Sequence, residues 1–307
     1  MLSLVHADRP VLAVLVPPVY WRHRVEALHG ARMVTGLVLA LSASVLWGTA
    51  DFAGGRLSRH LPLLIVVTCS QGAGLVALLI VLLLRGGVQP AAAGWGTVAG
   101  VLSVGSVACL YRALAIGTMS VIAPIVATSA VVPVLVGLAT GERPGPAAGA
   151  GIVLALAGVV LASRQQAYHP PADHRLSVLL AVAAAVCAGG QLVALQRAGS
   201  IDALSGVGAS RAVSVSIFVL VLLFARTRAP VRALPAAAVV GVLDTAANLA
   251  YTLATTRALL SLSAVLASLY PVVTIALARA LLHERLRPLQ VTGAVLVMAG
   301  VLLIASR

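Results

Sequence analysis

Asp244, Asn248, Tyr251 and Thr255 sit at i, i+4, i+7 and i+11 inside an otherwise apolar run. At 3.6 residues per turn they fall on one helix face. A carboxylate, an amide, a phenol and a hydroxyl on one face are the groups needed to hold a small polar solute and to exchange a proton with it. A carboxylate in the middle of an apolar span costs about 2.5–3.5 kcal/mol, so such acids face a cavity or a partner. Two readings of Asp244 stay open: a binding or proton-coupling acid, or a structural acid stapled to an arginine such as Arg211.

Other polar residues are sparse, which makes each one informative. Trp47 and Asp51 are one turn apart in an earlier apolar run. Asp51 reads either as a second cavity acid and coupling candidate or as the start of a solvated loop with Arg56. Gln71 and Arg211 are polar positions early in two further runs. Arg211 either attracts an anionic group within a cavity or snorkels to the membrane interface. Tyr111 and Tyr251 occupy matching places, and Tyr270 precedes Pro271. Their rings suit planar or cationic ligands, or alternatively the membrane interface. Gln191 is a further lining candidate. No histidine lies within an apolar run, and Cys69, Cys109 and Cys187 stand singly, so no metal site, cofactor or catalytic cluster is expected. The chain has no lysine and so lacks the phosphate-binding loop of an ATP-driven pump.

The elements that carry these residues are set by composition. Hydrophobic residues make up 61% of the 307 and charged residues 9%, and the mean hydropathy is +1.07. A soluble domain carries about 25% charged residues, so this composition belongs to an integral membrane protein. The net charge of +13 comes from arginines that flank apolar runs, and it is not read as a nucleic-acid signal. Ten such runs are expected to span: 34–54, 61–84, 94–115, 118–139, 145–163, 176–196, 204–225, 234–255, 258–281 and 288–305. None alternates as a barrel strand would, so the expected class is all-α. Residues 1–32 are more polar and are expected to be an N-terminal extension, either disordered or upstream of a native start at Met33.

The runs fall into two similar groups. Glu142-Arg143-Pro144 is followed by Gly151 and then Ala157-Gly158-Val159. Glu284-Arg285, with Pro288, is followed at the same offsets by Gly293 and then Ala299-Gly300-Val301. This duplication predicts repeats at 33–164 and 176–307 joined by a linker at 165–175. Five spans per repeat is an odd number, so the second repeat must enter the membrane inverted relative to the first, as in secondary transporters. Glu142, Arg143, Glu284 and Arg285 read as structural turn residues, each carboxylate placed to suit a helix N-terminus. Gly96 with Gly100, and Gly145 with Gly149, are spaced for close helix approach.

The pattern resembles the EamA-type family of the drug/metabolite transporter superfamily. The resemblance runs from residue 34 to 305. It is carried by Leu46-Trp47-Gly48, by Ala113-Leu114 with Gly117 and Ser120, by Pro271, and by the two Glu-Arg turns with their glycines. Ser129 stands where Pro271 stands in the other half, so the bend in the fourth span is expected further along, at Pro133. The resemblance implies two inverted five-helix halves, cytoplasmic termini in the cell membrane, and export or exchange of small metabolites or drugs by alternating access. It implies a small-molecule substrate and a lipid bilayer as partners, no nucleic acid, and a monomer or homodimer. An intramembrane enzyme and a non-transporting scaffold or sensor are the competing readings.

Overall fold

The structure, a computed structural model, describes residues 18–58, 61–116, 119–163, 174–225, 234–282 and 288–305. Among them every regular element is helical. Hydrocarbon dictates this, because backbone N–H and C=O groups there must be satisfied within the segment. The first half comprises α1 (Pro18–Ser58), α2 (Leu63–Arg85), α3 (Pro90–Ile116), α4 (Met119–Ala127), a 3-10 turn (Thr128–Ala130), α5 (Val131–Ala139) and α6 (Pro146–Ser163). The second half comprises α7 (His174–Ala225), α8 (Leu234–Ala254), α9 (Leu260–Ala267), α10 (Tyr270–Leu282) and α11 (Pro288–Ala305). Proline opens α1, α3, α6 and α11, where its missing N–H costs nothing. Gly86 closes α2 at φ +87, with its N–H on the Leu82 and Leu83 carbonyls.

Three elements differ from the sequence expectation. Helix α1 begins at Pro18, so the stretch expected to be disordered is helical from there onward. Its residues 22–29 hold Arg22, Arg24, Glu26, Ala27 and Leu28, which are good helix formers. Residues 1–17 lie outside the described residues. Runs 176–196 and 204–225 join in α7, which leaves helical geometry at one residue, Asp202 (φ −159, ψ 110). The Asp202 carboxylate accepts the N–H groups of Leu204 (2.9 Å) and Ser205 (3.2 Å), which restarts the helix. The bend between α4 and α5 lies at Thr128–Ala130, before Pro133 and not at it. Thr128 Oγ1 donates to the Ile125 carbonyl (2.6 Å) there. Ser268 Oγ donates to the Val265 carbonyl (2.8 Å) at the matching break between α9 and α10. Pro133 has no N–H for the Ser129 carbonyl and Pro271 none for the Ala267 carbonyl, so each helix opens in the turn before its proline, and the hydroxyl bonds sit within that opening.

The helices pack in pairs across the halves: α3 on α7, α6 on α11, and α1 and α2 on α8. Glycine makes these contacts close. A methyl group on Gly151 or Gly158 would come within 3 Å of the Gly300 or Gly293 carbonyl oxygen, and the reverse also holds. Gly96 and Gly100 are pressed onto the Gly206 and Ser210 carbonyls in the same way. Gly145 and Gly149 face open space, so their spacing does not serve packing in this chain.

The core gathers Ile152, Val159, Leu262, Leu266, Val297 and Ile304 in one cluster, and Leu78, Leu195, Val207 and Tyr251 in another. The outside is apolar: Leu84 is 84% exposed and Phe224 80%. Six segments of the described residues are long and apolar enough to cross a membrane. This is a multi-pass helical membrane protein.

Candidate functional site

The polar residues of α2, α7 and α8 converge. Arg211 on α7 is 5% exposed and pairs with Asp244 on α8, Nη2 to Oδ2 2.6 Å. Its Nη1 also donates to Gln71 Oε1 on α2. Asn248 donates from Nδ2 to the Asp244 carbonyl oxygen (2.7 Å), one turn back on α8. Arg211 therefore does not snorkel. A buried guanidinium needs a counter-charge and acceptors, and Asp244 supplies the charge while Gln71 accepts a second N–H. For Asp244, this is the arginine pairing that the sequence left open beside a binding or coupling role.

An aromatic group lies beside this cluster. The Trp47 ring centroid is 5.9 Å from Tyr251 and 6.3 Å from Tyr270, the latter edge-on. Both separations lie in the favourable range for aromatic pairs. Tyr251 is fully buried and its hydroxyl donates to the Leu192 carbonyl (3.2 Å). Tyr111 is 37% exposed, so the two tyrosines matched by sequence have different surroundings. Close approach of α10 to α1 is set by Gly48, where a methyl group would meet the Tyr270 carbonyl within 3 Å. Thr274 Oγ1 donates to the Gly48 carbonyl at 3.1 Å.

Asp51 follows Trp47 by one helical turn and is exposed. It lies within electrostatic reach of Asp244, Tyr111 and Tyr270. Asp51 has no hydrogen-bond or ion-pair partner among the described residues. Gln191 on α7 is half-buried.

Glu142 sits elsewhere, at a helix junction. Gly141, at φ +95, turns the chain after α5. The Glu142 N–H closes on the Gly137 carbonyl (3.0 Å). The carboxylate then accepts the N–H groups of Leu260 and Ser261 at the start of α9. Leu259, which precedes α9, supplies no side-chain cap. Glu142 caps α9 of the other half and not the helix that follows it in sequence.

The contacts between halves come in matched sets. Gly48 on α1 meets Tyr270 and Val273, and Gly189 on α7 meets Ser129 and Val132. The two sets are 141 residues apart throughout (48 to 189, 129 to 270, 132 to 273). Gly241 likewise meets Ser70, and Gly100 meets Ser210.

One family model, described as the EamA-like transporter family, matches residues 34–164 and again residues 175–306. The chain belongs to the EamA-like transporter family. A chain of known crystal structure is similar with a TM-score of 0.75 and 19% identity, over 88% of this chain and 96% of that one. No curated protein matches the sequence significantly.

Of the residues singled out in this EamA-like chain, Gln71, Arg211, Asp244 and Asn248 form one polar cluster, and Trp47, Tyr251 and Tyr270 form one aromatic group. Arg143 is exposed. Glu284, Arg285 and residues 165–173 of the expected linker lie outside the described residues. Sequence reasoning missed Asp202, which also pairs with Arg85. Its signal was present in Ser200-Ile201-Asp202, an acid in the short joint just before the run at 204–225, where a helix N-cap belongs.

Proposed function

We propose that this protein is a secondary transporter of small organic solutes that works by alternating access between two inverted five-span halves. It is a carrier and not an enzyme, and it serves as an exporter or exchanger in the cell membrane with both termini cytoplasmic. The halves run 33–164 and 176–307. The ten spans are α1, α2, α3, α4 with α5, α6, the two arms of α7 about Asp202, α8, α9 with α10, and α11. The substrate space lies between α1, α3, α8 and α10, beside the Gln71–Arg211–Asp244 cluster.

The observation that carries this reading is the double family match, one copy per half. The matched glycine contacts support a twofold relation between the halves with its axis in the membrane plane. Such a device opens to one side at a time. In keeping with this, α9 packs on α5 at the Glu142 end, whereas the equivalent pair α4 and α10 makes no comparable contact among the described residues. The present conformation is then closed at Glu142 and open where α1 and α3 end, next to Asp51 and Tyr111. Proton exchange, in this reading, runs through Asp51, and Asp244 holds Arg211.

The test is uptake of a solute panel into proteoliposomes without ATP or a redox donor. Saturable uptake of at least one solute is expected. A chain that leaves every solute outside is a scaffold or sensor, and one that converts a solute chemically is an enzyme.

A further inference from the structure

Helix α9 is short, buried along its whole length and bounded by a break at each end. Leu259 (φ −58, ψ 141) precedes it without a side-chain cap, and the helix opens again at Ser268, in the turn before Pro271. The first N–H groups of a helix need partners. Here the Leu260 and Ser261 N–H groups are met by Glu142, a residue of the other half. The turn that carries Glu142 fits this task. Gly141 redirects the chain at φ +95. Gly137 leaves the room that the carboxylate fills, since a methyl group there would come within 3 Å of Glu142 Oε2 and Cδ.

The same junction holds an opposing cost. Ser261 and Ser263 on α9 are fully buried, and their hydroxyls have no hydrogen-bond partner among the described residues. Burying a hydroxyl without a partner is unfavourable, whereas a backbone N–H on a carboxylate is a strong bond. Closure at this end therefore sets charge-assisted bonds against unmet hydroxyls that water would satisfy. That is the balance of a contact made and broken in turn, and not of a permanent core.

We infer that Glu142 is the latch of this end: its carboxylate holds α9 against α5 while the end is closed and releases the Leu260 and Ser261 N–H groups when it opens. The inference rests on the carrier reading and names the contact that regulates it. Thiol labelling reports the latch without transport, so the two can fail separately.

The experiment uses the full chain in lipid nanodiscs, with Cys69, Cys109 and Cys187 replaced by alanine and one reporter thiol introduced at a time. Ser263→Cys reports from α9. Val134→Cys reports from α5, where Val134 is buried in one cluster with Leu262 and Leu266. Ala181→Cys is the control, fully buried with Ala113 and Ile122 near the start of α4, a span's length from Glu142. The rate of modification by a charged, water-soluble methanethiosulfonate is measured for each. Glu142→Ala should speed Ser263→Cys and Val134→Cys together, by about fivefold, the equivalent of a lost cap. Ala181→Cys should not speed up. Glu142→Gln keeps the shape and loses the charge, so it gives a smaller rise at the same two sites; it decides the matter if Glu142→Ala fails to fold. Faster labelling of Ser263→Cys alone would describe a frayed helix start. Faster labelling of all three would describe a loosened protein. Either result, or unchanged rates, overturns the latch. Saturable solute exchange with unchanged labelling would sink the latch and leave the carrier. The paired rise in a chain that exchanges no solute would do the reverse.

Discussion

The Glu142 carboxylate accepts the backbone N–H of Ser261 at 2.9 Å, so a turn of the first half caps a helix of the second. The first N–H groups of a helix need partners, and Leu259 offers none. Glu142→Ala should therefore cost about 1 kcal/mol, within the usual range for a lost cap. Thermal unfolding in detergent is the measurement, with the exposed Arg143→Ala as a control of little effect. Equal melting temperatures for Glu142→Ala and wild type would mean the cap is not maintained in the membrane protein.

The Arg211–Asp244 pair is buried and shared with Gln71. Removing one partner of a buried pair typically costs about 3–5 kcal/mol, while replacing both by apolar residues is far milder. Asp244→Leu and Arg211→Leu should each lower the yield of folded protein sharply, and the double variant should recover most of it. A double variant as unstable as the sum of the singles would show that the two groups act independently.

Glycine substitutions should divide by position. A methyl group on Gly241 would overlap the Ser70 carbonyl oxygen, and one on Gly293 would overlap the backbone of Ala162. Gly241→Ala and Gly293→Leu should damage assembly, as should Gly151→Leu, whereas Gly145→Ala and Gly149→Ala should leave it intact. Membrane levels and size-exclusion profiles read this directly. Normal assembly of Gly241→Ala and Gly293→Leu would refute the packing account.

These glycines mark how far the sequence could be read. Gly151 and Gly293 were legible because the repeat places them at equal offsets, and backbone contact in lipid favours small residues. Gly145 and Gly149 have the same spacing and no neighbour, because spacing reports a helix face and not what lies against it. Asp244, Asn248 and Tyr251 were legible as one face for the same reason. Arg211 could be named as one possible partner of Asp244, but the Leu192 carbonyl could not be named for Tyr251, since a backbone acceptor on another helix leaves no mark in sequence. The bend at Thr128–Ala130 falls one turn ahead of Pro133, because a proline leaves unpaired the carbonyl four residues before it. The true object of the Glu142 cap was hidden by distance, 118 residues along the chain.

Tyr251 makes one hydrogen bond within the second half, from α8 to the Leu192 carbonyl of α7 at 3.2 Å. Tyr251→Phe keeps the ring beside Trp47 and removes only that bond, so a loss of about 0.5–1.5 kcal/mol is expected. Tyr251→Ala also empties a fully buried site and should cost about 3–5 kcal/mol, as for other large aromatic deletions. Similar losses for Phe and Ala would show that the hydroxyl matters more than the ring.

Asp51 and Asp244 should part company under a pH gradient. Asp51 has no partner among the described residues, while Asp244 is held by Arg211. Transport in vesicles with and without an imposed gradient should respond to it in wild type. The response should vanish in Asp51→Asn while gradient-independent exchange remains. A full response in Asp51→Asn would remove Asp51 from the coupling role.

Alternating access itself is tested most directly by trans-acceleration. Proteoliposomes are loaded with a labelled solute that the protein transports, and its exit is timed with and without unlabelled solute outside. A carrier that must return its site across the membrane releases the label faster when the return journey is loaded, and the initial rate saturates with solute concentration. Efflux that ignores external solute and rises linearly with concentration would describe a pore and contradict the account.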